Sequence, residues 1–307
     1  MRVPAIEKRQ PDFQAAKKFL LANKTHLHML QASPLKFLLS RSPMSVLKLG
    51  AVSATAFGAV LTASAHTSYL LPNVFVTTEG EYVTLEASFT EDAFVPEIAV
   101  VSDDYHVIAP DGSRDEYSAI TPFRQLVLLE DEMSEDGTYR YTTGVRLGRS
   151  STKALIDGEW QTILGAEAEV PENATQVMTS QTETVADVYV TKGASTWEAV
   201  EASLGRLVIR PLTHPNEIYL DEGFEFEVLF DGEPLASQSI EIKRGGGAYE
   251  APKYEKHVET DAEGKIALTF DRPGPYLVMT RHAADAPEGA ETDERSYTTS
   301  LTFEVAR

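Results

Sequence analysis

Seven histidines, many carboxylates and no cysteine set the chemistry open to this 307-residue chain. Without cysteine there is no thiolate zinc site, iron–sulfur cluster or cysteine nucleophile, and no disulfide. A metal site would have to use imidazole, carboxylate, amide, thioether or a free amino terminus. The sharpest candidate is His66, in "LTASAHTSYLLPN". The small residues Ala63-Ser64-Ala65 stand directly before it, Lys48 and an apolar run from Leu49 to Leu61 stand before those, and together they read as a secretory signal with its cleavage site. The apolar run is well short of the ~20 residues a membrane-spanning helix needs. Cleavage after Ala65 would make His66 the first residue of the exported protein. Its α-amine, with a pKa near ~8, and its ring Nδ1 would then chelate one ion, with protons as the competitor. Such a chelate suits copper, nickel or cobalt, completed by ligands from the fold. The local square-planar mode, which needs histidine at mature position three, is absent, because that position is Ser68.

The second candidate is His214, in "PLTHPNEIY", where Pro215 holds it extended and fixes the direction of its ring. A structural role for this ring, bonded to a nearby carbonyl, is the alternative. His106 alternates with apolar neighbours and is expected to face solvent on a strand. His257 lies in a charged loop and His282 at the exposed end of a strand; His26 and His28 precede the signal and belong to no site. Hydrolase, phosphate-loop and dinucleotide signatures (G-x-S-x-G, H-E-x-x-H, G-x-G-x-x-G) are missing, so the chain is not expected to be an enzyme.

These residues must be positioned by β-structure. Short runs rich in β-branched and aromatic residues recur between turn signals, as in "EYVTLEASF", "TYRYTTGVRL", "ADVYVTKG", "RLVIRPL", "KIALTF" and "LTFEV". In "FEFEVLF", Phe224, Phe226, Val228 and Phe230 share one face, and Glu225 and Glu227 the other. Asp111-Gly112, Asp136-Gly137, Asp157-Gly158 and Asp231-Gly232 mark tight turns. The expected fold is all-β, with two β-sandwich domains over residues 66–205 and 206–307. The second has the size of an immunoglobulin-like or transthyretin-like sandwich. One helix is expected in "STWEAVEASLG", with Ser195 and Glu198 as a capping box and Gly205 as its stop. Residues 162–184 read as a long polar loop.

Residues 44–65 read as the signal peptide, and residues 1–43 as an upstream segment from a start assigned too early; a very long n-region and an uncut membrane anchor are the alternatives. Nine of the 27 basic and two of the 47 acidic residues precede His66, which leaves 18 against 45 and a formal charge of −27 on the exported chain. That surface disfavours nucleic acid and anionic lipid as partners.

Several stretches in order, "AHTSYLLPN", "APDGS", "THPNEIYLDEG", "FDGEPLASQSIEIKRGG" and "TDAEGKIALTFDRPGPYLV", resemble a periplasmic family named for its association with nickel and cobalt uptake (NikM-like). The resemblance implies a periplasmic transition-metal-binding protein (Ni, Co, Cu or Fe), beside an outer-membrane receptor or an inner-membrane metal transporter. It places the family's leading histidine on His66 and the histidine of its T-H-P-N turn on His214. Tyr69 stands where relatives often carry tryptophan. Relatives often have a further histidine after F-x-P, where this chain has Glu97 in "AFVPEIAVV".

The leading expectation is therefore a non-catalytic periplasmic metal-binding protein that uses His66 and His214, brought together near the cleft between the domains. The alternatives are a metal-free, adhesion-like scaffold and a copper oxidase with an N-terminal histidine brace. Intact-mass measurement of the exported protein is expected to give a chain beginning at His66; a chain beginning at Met1 or Met44 would remove the amine ligand.

Overall fold

The alternation of apolar and polar residues produces strands almost throughout. In the computed structural model, which describes residues 66–163 and 169–307, there are twenty strands and one helical turn of α type. The signal segment and residues 1–43 lie outside the described residues.

The first half contains β1 (Thr67–Pro72), β2 (Val76–Thr77), β3 (Tyr82–Thr90), β4 (Ile98–Ala99), β5 (His106–Ile108) and β6 (Arg114–Asp115). It continues with β7 (Ala119–Pro122), β8 (Val127–Glu132), β9 (Gly137–Thr142), β10 (Arg146–Ile156), β11 (Glu159–Ile163) and β12 (Gln176–Lys192). After the turn α1 (Glu198–Glu201) come β13 (Leu207–Pro211), β14 (Phe224–Phe230), β15 (Glu233–Pro234) and β16 (Ser239–Arg244). The last are β17 (Glu255–Glu259), β18 (Lys265–Leu268), β19 (Gly274–Asp285) and β20 (Glu294–Val305).

Three sheets result. One has the order β1-β3-β8-β7, with β4 on β3. A long one runs β17-β16-β19-β20-β12-β9-β5-β6, with β2 and the β10–β11 hairpin attached. The third runs β13-β14-β15, with β18 on β14. The first sheet packs on the β12-β9-β5 part of the long one around Leu70, Leu85, Leu129, Val107, Tyr141 and Val188. The third packs on the β16-β19-β20 part around Phe224, Phe226, Ile240, Tyr276, Leu301 and Phe303. The chain is thus all-β, two sandwich layers built on one shared sheet, in which β12 and β20 pair directly across position 206.

Local sequence signals explain much of this. Phe224, Phe226 and Val228 are completely buried, as the alternation in β14 requires. Its other face is less open than expected, because Glu227 is also buried and pairs with Arg210 of the neighbouring strand. The Asp157-Gly158 and Asp231-Gly232 pairs both adopt positive φ, 54° and 86° in the first, 53° and 82° in the second, and close two tight hairpins. The helix is a correction: it is one turn with no side-chain cap, because the Ser195 hydroxyl is spent on the Glu217 carboxylate. The polar segment is a second correction. From Gln176 to Thr184 it is strand, held by β10 on one side and, from Ser180, by β20 on the other. A strand paired at both edges tolerates polar side chains because its backbone, not its apolar face, is what the neighbours hold.

Where β9 leaves β12, Arg140 and Asp187 form a buried ion pair at 2.6 Å, and Arg140 also donates to the carbonyl of Ala202 just beyond α1. Removing one partner strands the other charge in the interior. Asp187→Ala is expected to cost about 3–5 kcal/mol of unfolding free energy, read by urea denaturation; a loss under ~1 kcal/mol would show that the pair does not hold this junction.

Candidate metal centre

His66 is placed by the pairing of β1 with β3. Thr67 lies opposite Thr90, which sets His66 beside Glu91 at the end of the ladder. The chain then turns through Glu91–Glu97 and returns to the sheet at β4. The turn is tied from inside: the Thr90 hydroxyl donates to the Val95 carbonyl at 2.8 Å, and the Asp92 carbonyl accepts from the Val95 amide at 2.9 Å. Phe94, at φ 64°, turns its ring edge-on to Tyr69, with centroids 5.3 Å apart. Tyr69 is fully buried and donates to Glu86 at 2.8 Å; burial and the Glu86 charge hold its phenol well above its ordinary value.

This turn brings Glu97 back to His66. The Glu97 amide donates to the Phe89 carbonyl at 3.1 Å, which fixes where its side chain leaves the backbone. Its Oε2 lies 2.9 Å from His66 Nε2, and its Oε1 accepts from the Glu91 amide at 2.9 Å. Glu91 Oε1 is 3.8 Å from the same Nε2. The imidazole is 37% exposed, so an ion has access from solvent. The nearby ammonium groups are spent elsewhere: Lys243 reaches the backbone oxygen of Glu91 at 3.0 Å, and Lys253 the carboxylate of Asp92 at 2.6 Å.

A second group of the same composition contains Glu241, Glu255 and His257. Glu241 and His257 are cross-strand neighbours on β16 and β17, and His257 Nε2 lies 3.2 Å from Glu255. Its charge is already met, however. Lys243 pairs directly with Glu241, and Glu241 also supports the charge of Arg281, whose pKa is lowered by burial. A divalent ion there would meet two resident cations, whereas neither lysine beside the His66 group contacts the Glu91 or Glu97 carboxylate.

His214 does not join His66. Its ring is buried, 3% exposed, in a network of its own. Nδ1 accepts from the Asn216 amide at 3.3 Å, so Nε2 carries the proton and donates to the Thr196 carbonyl at 3.1 Å. Nε2 also lies 3.1 Å from the Thr138 hydroxyl, and Trp197 packs edge-on at 5.2 Å. Asn216 extends the network to Thr191 and to the carbonyl of Tyr189. Thr191 is opposite Val76, beyond the far end of β1, and that six-residue strand alone spans about 20 Å. The expected convergence of His66 and His214 is therefore corrected: His214 is a pin between β9, β12 and the turn before β14, with both ring nitrogens in use. His106 is a correction of the same kind. It is 2% exposed, not solvent-facing, and its Nδ1 lies 2.6 Å from the Asp104 carbonyl. The partners missed in the sequence are Glu91 and Glu97. The one signal for them was the place of Glu97 after F-V-P, where relatives of the resembled family often carry histidine.

Together the fold and this group define a two-layer β-sandwich protein with an exposed imidazole–carboxylate site. The chain belongs to the family described as a domain of unknown function, DUF4198, which matches residues 63–284. No curated protein matches it. Among solved structures, the D0-D1 domain of intimin aligns at 13% identity over 76% of this chain and 96% of its own, with a TM-score of 0.19.

Burial holds the pKa of both His214 and His106 below the ordinary imidazole value of 6.5. The unfolded chain takes up these protons at higher pH than the folded one, so their contribution to stability is complete above about pH 6.5 and is lost as pH falls through the lowered folded values. Unfolding midpoints are expected to fall from pH 7.5 to 5.5, and His214→Gln to flatten that slope; an unchanged slope would show that His214 does not resist protonation.

Proposed function

We propose that the processed chain is a non-catalytic, exported protein that holds one divalent transition-metal ion at His66. The observation that carries this reading is the His66–Glu97–Glu91 group, an exposed imidazole facing two carboxylates on a turn fixed by its own hydrogen bonds. An imidazole donor without sulfur, in an acidic setting, suits Ni, Co or Cu of the borderline class. The resemblance to nickel- and cobalt-uptake proteins, and the reading of residues 44–65 as a secretory signal, support a periplasmic place beside a metal receptor or transporter. An oxidase of the histidine-brace type needs a second imidazole facing His66, and His214 is committed elsewhere.

Calorimetric titration of the processed protein with Ni, Co and Cu tests the reading. One ion per chain is expected, with affinity falling at least about tenfold in His66→Ala, a loss of ~1.4 kcal/mol, and unchanged in His257→Ala. Unchanged binding in His66→Ala would move the site, and no binding in the parent protein would favour the metal-free scaffold.

A further inference from the structure

The two nitrogens of His66 are not equivalent. Nε2 faces both carboxylates, Glu97 Oε2 at 2.9 Å and Glu91 Oε1 at 3.8 Å. A carboxylate offers acceptors only, and a neutral imidazole places its single proton on the nitrogen held by an acceptor. Glu97 cannot readily swing away, because its other oxygen is held by the Glu91 amide at 2.9 Å. The proton is thereby assigned to Nε2 and the lone pair to Nδ1. Nδ1 is also the nitrogen nearer the backbone of its own residue, and only it can close a small chelate ring with the α-amine.

We propose that Glu97 is a positioning residue and not a ligand: it holds His66 in the Nε2–H tautomer, so that the metal binds on the opposite side of the ring, between Nδ1 and the amine freed by cleavage after Ala65. This rests on the metal-binding reading above and specifies its geometry. Carboxylates that hold the outer nitrogen of a ligating imidazole fix its orientation and raise its basicity, and their loss weakens metal affinity about 10–100-fold. The competing arrangement places the ion directly among Nε2, Glu91 and Glu97, whose ligand atoms lie within 4.8 Å of one another. The two arrangements differ in what they ask of the amine.

The test uses the processed chain titrated with Cu(II) and Ni(II) salts, beside Glu97→Ala, Glu97→Gln, Glu91→Gln and a chain with one extra alanine ahead of His66. Glu97→Ala is expected to weaken binding about 10–100-fold. Glu97→Gln, which keeps an acceptor oxygen, should lie between it and the parent. The extended chain should lose at least as much as Glu97→Ala, and Glu91→Gln should lose less than either. Nitrogen NMR of histidine-labelled, metal-free protein at pH 8 should show the Nε2–H tautomer at His66 and a mixture in Glu97→Ala. Unaltered binding by the extended chain, with equal losses in the Glu91 and Glu97 variants, would overturn the proposal and put the metal on Nε2. An unchanged tautomer in Glu97→Ala would overturn it as well. If His66→Ala binds like the parent, the assignment of the metal to His66 itself fails, which sets that failure apart from the other two.

Discussion

Everything in this molecule depends on the register of β12. Along one edge it pairs in parallel with β20, from Ser180 opposite Glu294 to Val188 opposite Thr302; along the other it pairs first with β10 and then with β9. Consecutive side chains near its end face different cores. Val188 and Val190 belong to the core under β1, β3 and β8, while Tyr189 belongs to the core under β13 and β14. A strand alternates its side chains with period two, so a slip of one residue would exchange both sets at once. Asp187 lies on the Tyr189 side, where Arg140 pairs with it and also sits 5.8 Å over the Tyr189 ring, so the register is held by charge as well as by shape.

That shared strand decides which parts of the fold were legible in the sequence. β14 was readable because one of its faces meets a core and its sequence alternates accordingly. The two Asp-Gly hairpins were readable because only a few residue types adopt two successive positive φ values. The first turns of β12 were not, because "QVMTSQTET" gains its order from neighbours on both edges rather than from an apolar face. The short helix misled for a local reason: Ser195 and Glu198 have the right spacing for a cap, but Glu217, distant in sequence, takes the hydroxyl.

The site shows the same division. His66 stood out because residues that read as a processing signal meet a metal-chelating residue type at one position. Its carboxylates did not, because their relation to it comes from the β1–β3 pairing and from a return turn whose closure is invisible in composition. His214 appeared equivalent to His66 in sequence. The fold separates them by spending both nitrogens of one ring on backbone groups and leaving the other ring at the surface. Burial and hydrogen-bond count, rather than residue type, distinguish a structural histidine from an available one.

The turn that carries Glu97 rests on the other sandwich through Phe94. A β-carbon built on Gly245 would come within 2.8 Å of the Phe94 ring and 3.0 Å of Pro275, so the aromatic ring occupies the space that any side chain at position 245 would need. Positions 94 and 245 are thus sterically linked although they lie in different sandwiches: any side chain at 245 would have to displace the Phe94 ring and Pro275, and with them the turn that sets Glu97 against His66.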